Sequence, residues 1–165
     1  MSVVTVKVNK DKIEFAADSI CIRGGTKRTN IAKLAEVNQM IIGGVGFTQE
    51  INLLFIFAQT HSPLDNSEKA VMDFFFEFGK WKNDLNLGFN SENNYLFGYK
   101  GKAFYVGNLL VKEIKDYEAI GAGMDYALAA LYLKHSAKEA VKVACELSCY
   151  VAEPIVTLSM EVASE

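Results

Sequence analysis

Met1-Ser2-Val3-Val4-Thr5-Val6-Lys7-Val8-Asn9-Lys10-Asp11-Lys12-Ile13-Glu14-Phe15-Ala16-Ala17-Asp18 is the stretch on which the fold turns. Val4, Val6 and Val8 alternate with Thr5 and Lys7, the two-residue period of a half-buried strand. Asn9 to Lys12 is a polar turn, and residues 13–17 are a second short strand, so the chain opens with a hairpin that Asp18 ends.

Outward from this hairpin the pattern continues in blocks. Gly24-Gly25 marks a turn, and residues 31–37 and 40–42 predict a second pair of strands, after which Gly43-Gly44-Val45-Gly46 breaks the sheet. Thr48 can cap a helix with Ile51, Leu54, Phe55 and Ala58 on one face. Asn66 or Ser67 starts another, with Val71, Phe74, Phe75, Phe78 and Trp81 at helical spacing; such an aromatic stripe reads as core rather than as a cofactor box. Strands return over residues 94–99, 103–107 and 109–114. Helices fit residues 124–134 and 136–151, the second opened by the capping-box pattern Ser136-x-x-Glu139. Residues 155–160 close as a strand. This order buries every apolar face if two antiparallel sheets lie between helix pairs, an α+β, four-layer αββα sandwich forming one domain over residues 1–165.

Composition narrows the function. A chain of 165 residues, half hydrophobic and 22% charged, builds one sizeable core. The net charge of -3, with basic residues scattered, leaves no footprint for a nucleic-acid partner. Apolar runs such as residues 52–58 and 127–133 fall far short of the roughly 20 residues that span a bilayer. The N-terminus has no basic region followed by a long apolar stretch, so a cytoplasmic protein is expected. Cys21, Cys145 and Cys149 read as buried reduced thiols, since Cys145-x-x-x-Cys149 without histidine nearby is a poor metal motif; no metal and no cofactor are expected. His61 and His135 lie far apart in sequence, which argues against a histidine-based triad.

Four stretches carry a resemblance: Met1 to Val6, Phe15-Ala16-Ala17-Asp18, Asn30-Ile31-Ala32-Lys33-Leu34 and Ala119-Ile120-Gly121-Ala122-Gly123. In that order they resemble the mature start, the end of the second strand, the segment with the active-site lysine and the glycine turn into a helix of the proteasome β subunit and HslV peptidase family of Ntn hydrolases. Together they cover nearly the whole chain in order. The resemblance implies a peptidase whose first residue is the nucleophile and whose α-amine serves as base. It implies a homo-oligomeric ring enclosing the sites, an unfoldase ATPase partner, and peptide or unfolded protein as substrate.

Carried over by position, Ser2 is the nucleophile, Lys33 the lysine and Asp18 its paired aspartate. Gly46 is the glycine whose N–H supports the oxyanion, with Gly44 as the alternative. An ammonium near the α-amine, whose reference pKa is near 8, would hold it partly unprotonated at neutral pH. Three departures stand out. Ala122 occupies the place of a serine, and Tyr150 the place of an aspartate expected on the last helix, with Glu153 the nearest carboxylate. A gapless match of the first strand puts Met1 at the nucleophile position, whereas matching through Asp18 puts Ser2 there. These imply reduced activity, or a non-catalytic subunit serving assembly or binding. A small-amide Ntn amidohydrolase without a ring is a further alternative.

Overall fold

β1 (Val4–Val8) and β2 (Lys12–Ala17) pair antiparallel with Val4 opposite Ala17 and Val8 opposite Ile13. The computed structural model describes residues 1–29, 31–88, 90–108 and 110–163. Asn30, the first residue of the lysine segment, and Leu109, expected to open a strand, lie outside the described residues. A short hairpin of β3 (Cys21–Arg23) and β4 (Thr26–Arg28) stands apart. β5 (Leu34–Val37), β6 (Met40–Val45), β7 (Asn94–Tyr99), β8 (Lys102–Gly107) and β9 (Leu110–Ile114) form an antiparallel meander in chain order. β10 (Tyr117–Ile120) adds to β1, and β11 (Val156–Glu161) to β2, giving a four-stranded sheet in the order β10-β1-β2-β11. α1 (Thr48–Ala58) and α2 (Glu68–Asp84) cover the meander, while α3 (Met124–Tyr132) and α4 (Ala137–Leu147) cover the other sheet.

Three apolar clusters separate these four layers. Val4, Val6, Phe15, Leu34, Ile41 and Leu96 meet between the sheets. Met40, Ile42, Leu54, Phe74, Phe78 and Phe97 fill the space under α1 and α2. Val3, Ala16, Ala127, Leu131, Val141 and Ala144 lie under α3 and α4. Met40 and Ile42 thus face the helices while Ile41 between them faces the other sheet, as strand alternation requires. The small residues of the third cluster let the last helix pair lie close on β1 and β2. The architecture is the predicted α+β sandwich.

Several local expectations are corrected. The first strand is buried on both faces over Val4 to Val6, not on one, because Thr5 is fully covered and donates its hydroxyl to the Ala137 carbonyl at 2.9 Å. Gly43 and Gly44 continue β6 rather than breaking it, and the turn falls at Gly46. Thr48 does not cap α1; Phe47 holds the N-cap position, and no side chain of its own accepts from the first turn. Ser67 does cap α2, its hydroxyl accepting the Ala70 N–H at 3.1 Å, and Ser136 and Glu139 form the full capping box. Phe74 and Phe78 are core, and Phe75 and Trp81 pack against it, so most of the α2 stripe is covered within the chain. Apolar side chains stand exposed elsewhere, notably Tyr132, Leu133, Leu147 and Tyr150 at the ends of α3 and α4.

Candidate active site

Asp18 leaves the end of β2 and is 1% exposed. Its Oδ1 accepts the Lys33 ammonium at 2.8 Å and the Val3 N–H at 2.9 Å. Its Oδ2 accepts the Ile20 N–H at 3.0 Å and the Ala152 N–H at 3.4 Å. Its own N–H donates to the Val3 carbonyl at 3.2 Å, so backbone and side chain together fix the start of β1. Lys33 comes from the residue before β5, where its carbonyl accepts the Gly44 N–H at 2.8 Å, and its side chain is 6% exposed. Because one oxygen serves both, the Lys33 ammonium and the Ser2–Val3 peptide are no farther apart than two hydrogen bonds. Burial draws the Lys33 pKa below the ordinary lysine value, against the raising pull of the Asp18 carboxylate.

Ser2 is buried and its hydroxyl donates to the Met1 carbonyl, while Met1 itself is half exposed. The Ser2 carbonyl accepts the Gly123 N–H at 3.1 Å. Gly121 has a φ of +101°, and a Cβ there would lie 2.3 Å from the Ser2 oxygen and 3.1 Å from Val45 Cγ1. Only glycine allows both the conformation and that approach. The Gly121-Ala122-Gly123 turn therefore clamps Ser2, two residues before β1, and Gly121 itself lies close to Val45 at the end of β6. With Met1 present, the Ser2 nitrogen is a peptide amide and cannot act as a base.

Gly46 follows β6 at a φ of +123° and is exposed. It lines a cleft of about 500 Å³ together with Cys21, Ile31, Ala32, Phe47 and Phe55. Ala32 precedes Lys33 in the chain, and Ser2, Asp18 and Lys33 are not among the residues that line the cleft. The structure thus brings Asp18, Lys33 and the Ser2–Val3 peptide together, and Gly46 stands two residues beyond Gly44, whose N–H donates to the Lys33 carbonyl.

Two readings of the last helix change. α4 ends at Leu147, so Tyr150 lies in the following loop, half exposed, rather than on a helix. That loop still reaches the site, through the Ala152 N–H on Asp18 and the Ala152 carbonyl, which accepts the Ser19 N–H at 3.2 Å. The three cysteines are free, but Cys149 is exposed and the others are half-buried, against the expectation of buried thiols. Burial first, then the nearby Asp18 carboxylate, pushes the Cys145 thiol up to about 11. At pH 8 on the order of one thiol in a thousand would then be thiolate, so iodoacetamide should label Cys149 well before Cys145. Peptide mapping after brief alkylation checks this; faster labelling of Cys145 would contradict the placement.

The sequence alone does not point to Asn93, which holds the Gly46–Phe47 turn from 46 residues away. The glycine clamp on Ser2 is visible as a motif, though its grip on the carbonyl is not.

No protein-family model matches the sequence, and no curated protein matches it. Solved structures do resemble it. Thiobacillus denitrificans BPH in complex with epoxomicin superposes with a TM-score of 0.88 at 20% identity, covering 98% of this chain and 100% of that one. Eukaryotic HslV from Trypanosoma brucei gives 0.72 at 18% identity, over 96% of this chain and 99% of that one. Anbu, an ancestral beta-subunit, from Yersinia bercovieri gives 0.77 at 16% identity, over 96% and 81%. The chain has the proteasome β and HslV-like fold, the αββα sandwich of the Ntn-hydrolase type.

Proposed function

We propose that this chain is a proteasome-like peptidase subunit that cuts peptide bonds with Ser2 once residue 1 is removed. One observation carries the reading. A buried lysine ammonium and the N–H of the residue after Ser2 share a single aspartate oxygen, and the residue preceding that lysine, Ala32, lines an open cleft.

Removal of Met1 turns the Ser2 nitrogen into an α-amine. Ser2 Oγ attacks the substrate carbonyl while the amine takes its proton. The positive charge of Lys33 favours the unprotonated amine and the developing alkoxide. The Gly46 N–H supports the oxyanion of the tetrahedral intermediate. The amine then protonates the leaving amine of the substrate, leaving an ester on Ser2. Water, losing its proton to the same amine, hydrolyses that ester and restores Ser2. Among its described lining residues the cleft carries no charged side chain. Peptides with an uncharged side chain next to the scissile bond should therefore be preferred.

A closed ring of identical subunits would shield such sites, and the exposed apolar residues on α3 and α4 supply surface for packing between copies. Unfolded protein delivered by an ATPase partner is the substrate this assembly would suit. Light scattering should give a multimer; a stable monomer across micromolar concentrations would contradict the ring and favour the small-amide alternative.

The competing reading, a non-catalytic subunit, has its own support. Ala122 sits exposed at the turn that clamps Ser2 and brings no hydroxyl there. The two readings part on one experiment. The mass of the natively expressed protein shows whether Met1 is lost. Fluorogenic peptides are then offered to protein beginning at Ser2, with and without Ala122→Ser. Slow turnover that Ala122→Ser raises, and that Ser2→Ala removes, is expected of the peptidase. General-base assistance is worth on the order of 10²–10⁴ in rate, so a partial loss leaves measurable activity. No turnover in the Ala122→Ser protein with a free Ser2 would establish the non-catalytic reading instead.

A further inference from the structure

Asn93 is 1% exposed and stands just before β7, where nothing in the chemistry above requires it. Its Oδ1 accepts the Phe47 N–H at 2.7 Å, and its Nδ2 donates to the Phe47 carbonyl at 2.9 Å. One side-chain amide thus holds both polar groups of one residue, in the manner of a strand partner. Gly46 presses on the same group, since a Cβ there would lie 2.2 Å from Asn93 Oδ1. The turn that presents the Gly46 N–H is therefore shaped around Asn93, and α1, which begins at Thr48, starts from it.

The amide cannot turn over. Nδ2 also donates to the Tyr95 hydroxyl at 3.2 Å, and that hydroxyl donates in turn to Glu50 Oε1 at 2.8 Å. Exchanging Oδ1 and Nδ2 would set donor against the Phe47 N–H and acceptor against its carbonyl. Below Asn93, its backbone N–H donates to Ser91 Oγ at 3.2 Å, and Ser91 Oγ donates to Glu50 Oε1. Glu50 on α1 is paired with the buried Lys82 ammonium of α2 at 2.8 Å. Lys82 also donates to the Asn90 carbonyl at 3.2 Å. A continuous polar network runs from the outer helices to one residue at the cleft, and no buried side-chain polar atom among the described residues lacks a partner.

We infer that Asn93 is a positioning residue, which through its double hydrogen bond to Phe47 sets the direction of the Gly46 N–H, with the Glu50–Lys82 pair and Tyr95 holding Asn93 in its one working orientation. The inference rests on the proposed role of Gly46 in supporting an oxyanion. A donor that misses its target by a fraction of an ångström stabilises the transition state poorly while leaving ground-state binding almost intact.

The test uses protein beginning at Ser2, compared with Asn93→Ala and with the milder Tyr95→Phe, which keeps the ring but removes one hydrogen bond to Asn93. Turnover of a fluorogenic peptide and backbone hydrogen exchange over residues 44–50, read by mass spectrometry, are measured on all three. Asn93→Ala should lower kcat about 10–100-fold with KM changed less than about twofold, and Tyr95→Phe should lower kcat only a few-fold. Exchange over residues 44–50 should quicken in the same order while the rest of the chain keeps its protection. An unchanged kcat, or a loss confined to KM, would overturn the inference. If the unsubstituted protein turns over no peptide, the catalytic reading fails by itself. Exchange then decides the positioning role: faster in Asn93→Ala supports it, and equal rates overturn it. If Asn93→Ala does not fold, Tyr95→Phe alone decides the question by the same two measurements.

Discussion

Asp18→Ala should be more damaging to stability than Lys33→Met, although both break the same ion pair. Removing one partner of a buried pair typically costs about 3–5 kcal/mol, because the other charge is left uncompensated. Lys33→Met leaves Asp18 with N–H donors from Val3, Ile20 and Ala152, so its carboxylate remains partly satisfied. The cost should fall at about 3 kcal/mol. Asp18→Ala strands the lysine, whose ammonium has Asp18 as its acceptor among the described residues, and orphans those three N–H groups as well. Its cost should reach about 5 kcal/mol, a drop in melting temperature on the order of 10 °C or more for a chain of this size. Urea unfolding of the two variants checks the order. A Lys33→Met protein less stable than Asp18→Ala would mean that the ammonium, not the carboxylate, organises the site.

The second large effect concerns rate. In protein beginning at Ser2, Lys33→Met should cost on the order of 10²–10⁴ in peptide turnover, since it removes the charge that favours both the free amine and the alkoxide. The sign of the pH response separates this from simple misfolding. A nearby positive charge disfavours the protonated amine, so its loss raises the pKa of the Ser2 amine. The rising limb of the rate profile should therefore move to higher pH, and residual activity should recover as the solution is made more alkaline. A uniform loss at every pH would assign Lys33 to the fold alone.

The layers are legible where burial and period agree. Val4, Val6, Phe15 and Ile41 announce the inner faces by strand alternation, and Ser67 and Ser136 announce two helix starts by their caps. β10 escapes a reading of the sequence because Tyr117-Glu118-Ala119-Ile120 is four residues long and joins β1 as an edge strand, with no period to read. β3 and β4 escape it for a similar reason, three residues each, with β4 wholly exposed. The helical pattern runs four residues past the true end of α4 because Ser148, Cys149, Tyr150 and Val151 keep a helical spacing. Val151 is buried, but Ser148 has already turned to an extended backbone.

Within the site, Asp18 and Lys33 are readable through family resemblance, and their direct contact follows from β2 and β5 ending and starting at one place. Asn93 is not readable. Its hydrogen bonds go to backbone groups of a residue 46 positions away, and any residue type could stand at Phe47. Side-chain to backbone contacts of that range leave no pattern in composition or spacing.

The central claim is that Ser2 is a nucleophile when it is the first residue. Its most direct test is covalent capture by an inhibitor selective for N-terminal nucleophiles, with intact mass and peptide mapping as the readout. Three proteins are compared: one beginning at Ser2, one retaining Met1, and one beginning at Ser2→Ala. A single adduct, mapped to residue 2, is expected in the first protein and none in the other two. No adduct on the protein beginning at Ser2, or an adduct mapped to another side chain such as Cys149, would contradict the claim.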